Sequence, residues 1–226
     1  MAKHYGIDIS EWQGDFDLKK HNPEFVIIRA GDGDYWDVRL DENIQKAVDL
    51  GIPYGLYWFL RDHTGAAAAR TAAALVDFAL SIPHPPTMGI WCDVEDNDEW
   101  DGNPNTAREP AYAFCEEVEK AGFYAGIYCN WYFRDALFPY CGRFDCWIAD
   151  WDGGDDPVCS GSTMRQYSNS NGKLDLDVSF IELADYDLRP SGPGSFPDED
   201  VKKILRDIAA DLDDINKRLK EALTQL

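Results

Sequence analysis

Residues 89–95 read Gly-Ile-Trp-Cys-Asp-Val-Glu, a short and mostly apolar run that ends among acidic residues. An apolar run of this length predicts a buried β-strand. The chain repeats the pattern, and we predict further strands from runs rich in β-forming residues at residues 5–9, 25–30, 54–60, 124–129, 146–151, 164–167 and 174–180.

Helical patterns separate the early strands, at residues 42–50, 66–80 and 107–121. This alternation predicts a parallel sheet with right-handed crossovers. Eight strands in about 180 residues predict a closed barrel, shortened relative to the about 250 residues that eight complete βα units need. We therefore expect an α/β fold, a TIM-like (β/α) barrel with five βα-like units followed by three strands with brief connections.

A different kind of sequence follows the barrel region. Residues 189–197 read Arg-Pro-Ser-Gly-Pro-Gly-Ser-Phe-Pro, which is typical of a linker. Beyond them, apolar residues recur with the alternating spacing of four and three that defines a heptad repeat, namely Val201, Leu205, Ile208, Leu212, Ile215, Leu219, Ala222 and Leu226. We therefore divide the chain into a barrel at residues 1–188, a linker at 189–197 and a heptad helix at 198–226.

The heptad repeat also predicts an assembly. Leucine at the a positions with isoleucine at d favours trimers or tetramers over two-stranded coils. We expect a homo-oligomer formed through this C-terminal coiled-coil helix, with a tetramer favoured. A dimer is the second choice. The other alternative is that the helix folds back on the barrel as a final amphipathic element.

Composition argues against several classes of partner. The 226 residues include 21 Lys and Arg against 42 Asp and Glu, for a net charge of −21. Binding to nucleic acid or to an anionic membrane needs a basic surface, so we expect neither partner. The six cysteines form no Cys-x-x-Cys pair and the four histidines are scattered. We therefore expect no metal site and no cofactor.

The acidic end of the quoted strand is the strongest candidate for chemistry. Because side chains alternate along a strand, Asp93 and Glu95 share one face, with Cα atoms roughly 6.6 Å apart. Two acids at the carboxyl end of a barrel strand lie where such barrels hold their active sites. Crowding raises the pKa of at least one of them, as a general acid requires. The alternative interpretation is a solvated acidic strand end.

Asp8 ends the first predicted strand in the same way, although an aspartate there can also cap a turn. Asp175 and Asp177 alternate with apolar residues in the last predicted strand. In a closed barrel the last strand pairs with the first, so one of them can approach Asp8 and complete an acidic pocket. We expect Asp175 to do so and Asp177 to belong to a polar outer face.

Several motifs, in order, resemble glycoside hydrolase family 25, the N-acetylmuramidase lysozymes of bacteria, fungi and phages. The resemblance runs from about residue 6 to residue 180 and implies a shortened, distorted β/α barrel. The motifs are Gly6-Ile-Asp-Ile-Ser10 with Trp12-Gln-Gly14, Gly55-Leu-Tyr-Trp-Phe59, Asp93-Val-Glu95, Trp147-Ile-Ala149, Gln166-Tyr167 and Leu174-Asp-Leu176. Departures from the family pattern include Arg165, where an aromatic residue is usual, and Trp58, where a histidine is common.

The resemblance implies a role for each acid. Glu95 would be the general acid and base, and Asp93 would orient the acetamido group of the substrate or stabilise positive charge. Asp8 and Asp175 would complete the site. The candidates for substrate binding are Tyr57 beside the scissile sugar, Trp12, Tyr128 and Gln166 near the groove, and Phe59 and Trp151.

The family retains anomeric configuration, by a carboxylate nucleophile or by the 2-acetamido oxygen of the substrate. We favour substrate assistance, because no third carboxylate is evident as a nucleophile. The expected activity is that of a lysozyme, hydrolysing the β-1,4 bond between N-acetylmuramic acid and N-acetylglucosamine in bacterial peptidoglycan. Alternatives are a chitinase-like hydrolase of acetamido sugars and a non-catalytic glycan-binding barrel.

The N-terminal residues show no secretory signal pattern and lead directly into the first predicted strand. Together with the family resemblance, this favours a phage or prophage endolysin. Such a protein would be made in the host cytoplasm and would act on the bacterial cell wall after holin-type release.

Overall fold

A computed structural model describes residues 3–138, 143–151, 154–158, 162–170 and 173–187. Nine strands form one sheet within these residues. They are β1 (His4–Ile9), β2 (Phe25–Asp32), β3 (Tyr35–Trp36), β4 (Tyr54–Phe59), β5 (Ile90–Val94), β6 (Ala125–Asn130), β7 (Asp145–Ala149), β8 (Ser162–Ser168) and β9 (Asp175–Ser179).

The sheet closes on itself. The strands follow the order β1-β9-β8-β7-β6-β5-β4-β2-β3, and β1 also pairs with β2. Eight strands therefore form a barrel, with β3 added as an antiparallel hairpin partner of β2. The predicted shortened barrel is confirmed, and the eight predicted strands match these eight to within a few residues at each end.

The last strand departs from the all-parallel expectation, because β9 runs antiparallel to both β8 and β1. Only residues 169–174 separate β8 from β9. A parallel connection needs a crossover of a dozen or more residues, so this short loop can only return the chain in the opposite direction.

Five α-helices accompany the strands in the described part of the chain: α1 (Leu18–His21), α2 (Leu40–Leu50), α3 (Gly65–Ser81), α4 (Arg108–Lys120) and α5 (Trp131–Leu137). The sequence predicted α2, α3 and α4 and missed the short α1 and α5. Gly51 ends α2 with a φ of 66°, in the left-handed region expected of a helix cap.

Two apolar layers lie on opposite faces of the barrel wall. Outward-facing residues such as Cys92 and Val94 pack in one cluster with helix residues such as Cys115 of α4. The barrel interior is filled by a second cluster of mainly aromatic residues, which include Phe25, Trp91, Tyr124, Trp147 and Tyr186.

Glycines on neighbouring strands make room for these rings. A Cβ atom on Gly6 would lie 2.5 Å from the Phe25 ring, and one on Gly126 would lie 2.2 Å from the Trp91 ring. The aromatic interior therefore closes the lower part of the barrel, and polar side chains concentrate at the opposite end.

The predicted linker at 189–197 and heptad helix at 198–226 lie outside the described residues. Among the helices that are described, none combines the length and the apolar character needed to cross a membrane.

Candidate active site

A cavity of about 170 Å³ opens at the end of the barrel where the parallel strands finish. Every lining residue lies on a barrel strand or within two residues of its end. The lining consists of Asp8, Tyr57, Asp93, Glu95, Tyr128, Trp147, Trp151, Gln166 and Asp175. The structure thus brings together eight of the ten site residues proposed from the sequence.

The other two candidates, Trp12 and Phe59, do not line the cavity. Trp12 is 78% exposed on a short 3₁₀ helix after β1. Buried Arg29 holds that helix by donating from Nη2 to Glu11 Oε1 at 2.6 Å. Phe59 shares a face of β4 with Tyr57, but the Arg61 guanidinium lies 4.6 Å from its ring centroid. Phe59 is therefore in contact with Arg61 and outside the cavity lining, and its role in substrate binding stays a prediction.

Glu95 follows the last residue of β5 and is partly buried. Burial raises the pKa of its carboxyl group, and the nearby charges of Asp175 and Asp96 raise it further. A hydrogen bond from the Tyr128 hydroxyl to Glu95 Oε2, at 3.2 Å, acts in the opposite direction. The net effect favours a protonated carboxyl group at a higher pH than usual, which a proton donor needs.

Asp93 lies on β5 and is only 4% exposed. Burial raises its pKa well above the usual value and the charge of Glu95 adds to this, while Arg29 and Arg61 lower it. Its Oδ1 atom has no hydrogen-bond partner among the described residues. A buried acceptor without a partner is costly, so Asp93 is suited to receive an N–H or O–H group from a ligand.

Hydrogen bonds between side chains hold Asp8 in position. Gln166 donates from Nε2 to Asp8 Oδ2 at 2.9 Å, and Trp151 donates from its indole nitrogen to Gln166 Oε1 at 3.0 Å. Burial raises the pKa of Asp8 well above its usual value, the charges of Asp177 and Asp175 add to this, and the Gln166 hydrogen bond lowers it.

Asp175 begins β9 directly opposite Asp8 in the strand register and lines the cavity. Burial raises its pKa to about 6. Asp175 and Asp8 therefore form the second acidic wall, across the cavity from Asp93 on β5 and Glu95 directly after it.

The expectation that Asp177 belongs to a polar outer face was wrong. Asp177 is fully buried and accepts a hydrogen bond from the indole nitrogen of Trp147 at 2.9 Å. Because side chains alternate with a period of two, Asp177 shares the inner face with Asp175 and lies deeper in the barrel. Burial raises its pKa to about 8.

Trp147 is a cavity residue that the site prediction omitted. Its ring centroid lies 4.5 Å from that of Tyr128 and 6.3 Å from that of Tyr57, edge to face in both cases. Alternation along β7 was the available signal, because Trp147 and Ala149 share the face that leads to Trp151.

No group of three or more His, Cys, Asp or Glu side chains in the described residues is arranged to hold a metal ion.

Comparisons with known proteins extend over most of the barrel. The sequence profile described as "Glycosyl hydrolases family 25" matches residues 7–175. A search of curated proteins gave no match. Among solved structures, a family 25 glycosyl hydrolase from Bacillus anthracis superposes with a TM-score of 0.66 at 22% identity, over 81% of this chain and 93% of that one.

Two further solved structures give similar values. The lysozyme from Streptomyces coelicolor has a TM-score of 0.64 at 22% identity, covering 82% of this chain and 96% of that one. The catalytic domain of endolysin ply40, from bacteriophage P40 of Listeria monocytogenes, has a TM-score of 0.65 at 21% identity, covering 81% and 96%. At these identities the structural likeness establishes a shared fold.

Proposed function

Because the chain belongs to family 25 of the glycosyl hydrolases, we propose that it is a lysozyme acting on bacterial peptidoglycan. The bond cleaved is the β-1,4 bond that joins N-acetylmuramic acid to N-acetylglucosamine. The observation that carries this proposal is Glu95, a carboxyl group with a raised pKa. It shares the cavity with Asp93, whose Oδ1 atom has no hydrogen-bond partner among the described residues.

The acids have different roles in the retaining hydrolysis. Glu95 gives its proton to the glycosidic oxygen as the bond to the anomeric carbon breaks. Asp93 accepts the N–H of the 2-acetamido group, whose carbonyl oxygen attacks the anomeric carbon and forms a cyclic oxazolinium. The Glu95 carboxylate next takes a proton from the water that opens this ring. Two inversions at one carbon leave its configuration retained.

Asp175, whose pKa is about 6, supplies negative charge on the opposite wall at neutral pH, and Asp8 adds to it in its ionised form. An oxocarbenium-like transition state carries positive charge on the sugar ring, and fixed carboxylates stabilise it electrostatically. Tyr57, Tyr128 and Trp147 form an aromatic wall and floor for the sugar.

The biological setting proposed is host lysis by a phage or prophage endolysin, released to the wall from the cytoplasm of the host. The support is the likeness of the barrel to an endolysin catalytic domain. Expression of the full chain with and without a holin tests this setting. Lysis that depends on the holin is expected, and equal lysis without it would contradict the setting.

Mass spectrometry of soluble products from purified peptidoglycan tests the cleaved bond. After borohydride reduction, we expect reduced N-acetylmuramic acid at the end of each fragment. Reduced N-acetylglucosamine at that position would contradict the muramidase proposal. Cleavage of chitin oligosaccharides without release from peptidoglycan would favour the chitinase-like alternative, and sedimentation with walls without product would favour the non-catalytic one.

We further propose that residues 198–226 assemble the enzyme into a tetramer. Support comes from the leucine and isoleucine heptad spacing, since that pattern favours more than two strands. Several tethered barrels would gain avidity on an insoluble, repetitive wall. Light scattering should give about four times the 25.6 kDa of one chain, and a monomer for a version that ends at Pro190. A monomeric full chain at micromolar concentration would contradict the proposal.

A further inference from the structure

Glu95 lies beyond the regular part of the barrel wall. The strand β5 ends at Val94, which pairs with Cys129 in the register of β5 and β6. The peptide group of Glu95 is therefore outside the strand ladder that fixes its predecessors. A catalytic acid needs a fixed position, because small displacements cost large factors in rate.

The neighbouring strand β6 contacts Glu95 at two points. Tyr128 donates its hydroxyl proton to Glu95 Oε2 at 3.2 Å. Two residues later on the same strand, Asn130 donates from Nδ2 to the backbone carbonyl oxygen of Glu95 at 3.0 Å. One strand thus holds both the side chain and the main chain of the acid.

The orientation of the Asn130 amide is set by a second set of contacts. Its Oδ1 atom accepts the backbone N–H groups of Tyr132 at 3.0 Å and Phe133 at 3.3 Å, and so caps the N-terminus of α5. An amide oxygen that accepts these groups leaves the nitrogen to face the other way. The start of α5 therefore directs the amide nitrogen of Asn130 towards Glu95.

We propose that Asn130 is a positioning residue for Glu95, acting by a side-chain hydrogen bond that continues the pairing of β5 with β6 beyond its last backbone pair. The inference rests on the proposed function of Glu95 as the acid. It adds that α5, which lies outside the cavity, helps to place the proton donor. Without the bond, the Glu95 carboxyl group is no longer held within hydrogen-bond distance of the Tyr128 hydroxyl.

Loss of the Tyr128 hydrogen bond changes the pKa of Glu95 in a known direction. The groups that act on the Glu95 carboxyl are Tyr128 of β6, Asp93 of β5, Asp175 of β9 and Asp96 in the following loop. Of these, Tyr128 is the hydrogen-bond donor that lowers the pKa of Glu95. Weakening its contact therefore raises that pKa, and moves the alkaline limb of the kcat profile to higher pH.

Two substitutions separate this role from helix capping. Serine and aspartate are both favoured at helix N-caps, so Asn130→Ser and Asn130→Asp keep the cap and remove the amide donor. Asn130→Asp also adds a negative charge. Asn103, which caps a 3₁₀ helix through its Oδ1 atom, provides the matched control Asn103→Ser.

We expect kcat to fall about tenfold in both Asn130 variants, with KM within about twofold and an unchanged melting temperature. A carboxyl ¹³C NMR titration without substrate should show a raised Glu95 pKa, more so in Asn130→Asp, where a negative charge is added. Asn103→Ser should match the wild type in every measurement.

Unchanged kcat and an unchanged Glu95 pKa would overturn the inference. So would a variant that loses activity only in proportion to its folded fraction, because Asn130 would then serve the fold alone. If the wild-type enzyme releases no sugar from peptidoglycan, the proposed function fails, while the titration of Glu95 still decides whether Asn130 positions it.

Discussion

Gln166 on β8 donates a hydrogen bond to Asp8 on β1 across 2.9 Å, although 158 positions separate them in the chain. The amide is oriented by Trp151, whose indole nitrogen can only donate and therefore faces the amide oxygen. The amide N–H group then has Asp8 as its acceptor and stabilises the ionised carboxylate. A residue of the cavity wall thus helps to keep a negative charge where the sugar becomes positive.

Replacing the amide tests this link. In Gln166→Glu, a carboxylate faces Asp8 and the donor is lost, so Asp8 binds its proton more tightly. We expect kcat at neutral pH to fall at least tenfold, since one electrostatic contact is worth about 10²–10³ in rate. Gln45→Glu, on the exposed face of α2, is the matched control and should leave kcat unchanged. Equal kcat in the two variants would show that Gln166 does not serve Asp8.

Asp177 should control how stability varies with pH. Its pKa is about 8 in the folded protein and about 3.9 for an unfolded aspartate. The folded state therefore holds the proton more tightly, and the contribution of Asp177 to stability falls as pH rises between these values. Asp177→Asn removes this dependence and keeps an acceptor for Trp147.

Thermal unfolding of wild type and Asp177→Asn at several pH values measures the effect. The two melting temperatures should be similar near pH 4, and the variant should become the more stable protein towards pH 8. Its kcat should fall less than that of Asp8→Asn, because Asp177 does not line the cavity and acts on the site only through Asp8. A constant difference in melting temperature across this range would refute the account.

Removing the charge of an acid that lines the cavity should lower activity without lowering stability. Asp8→Asn and Asp93→Asn remove charges from a crowded, buried site, so their melting temperatures should be unchanged or raised. Their kcat values should fall about 10²-fold or more. Kinetics on soluble muropeptides and calorimetry check both parts, with the exposed Asp41→Asn as control. Normal activity in Asp8→Asn would remove Asp8 from the site.

The sequence predicted the features that depend on local periodicity. Apolar runs placed the barrel strands, and a period of two placed Asp93 and Glu95 on one face. The contact of Gln166 with Asp8 depends on barrel closure, so no local pattern contains it. The deep position of Asp177 could also not be predicted without the closed barrel. Alternation gives the face of the strand on which a residue lies, but not its distance from the mouth of the barrel.

Other features have a local signal in the sequence. The short connection before β9 implies an antiparallel return, and alternation along β7 places Trp147 on the face that lines the cavity. The contact from Asn130 to Glu95 was beyond the sequence, because it requires the capped start of α5 to lie next to the end of β5.

Glu95→Gln tests whether Glu95 is the proton donor. Glutamine keeps the shape and removes the proton, and general acid–base catalysis contributes about 10²–10⁴-fold to rate. We predict a loss of this size in release of muropeptides from purified walls, with an unchanged melting temperature and with wild-type activity in the control Glu116→Gln, on the exposed face of α4. A folded Glu95→Gln enzyme that clears walls within about threefold of wild type would contradict the claim.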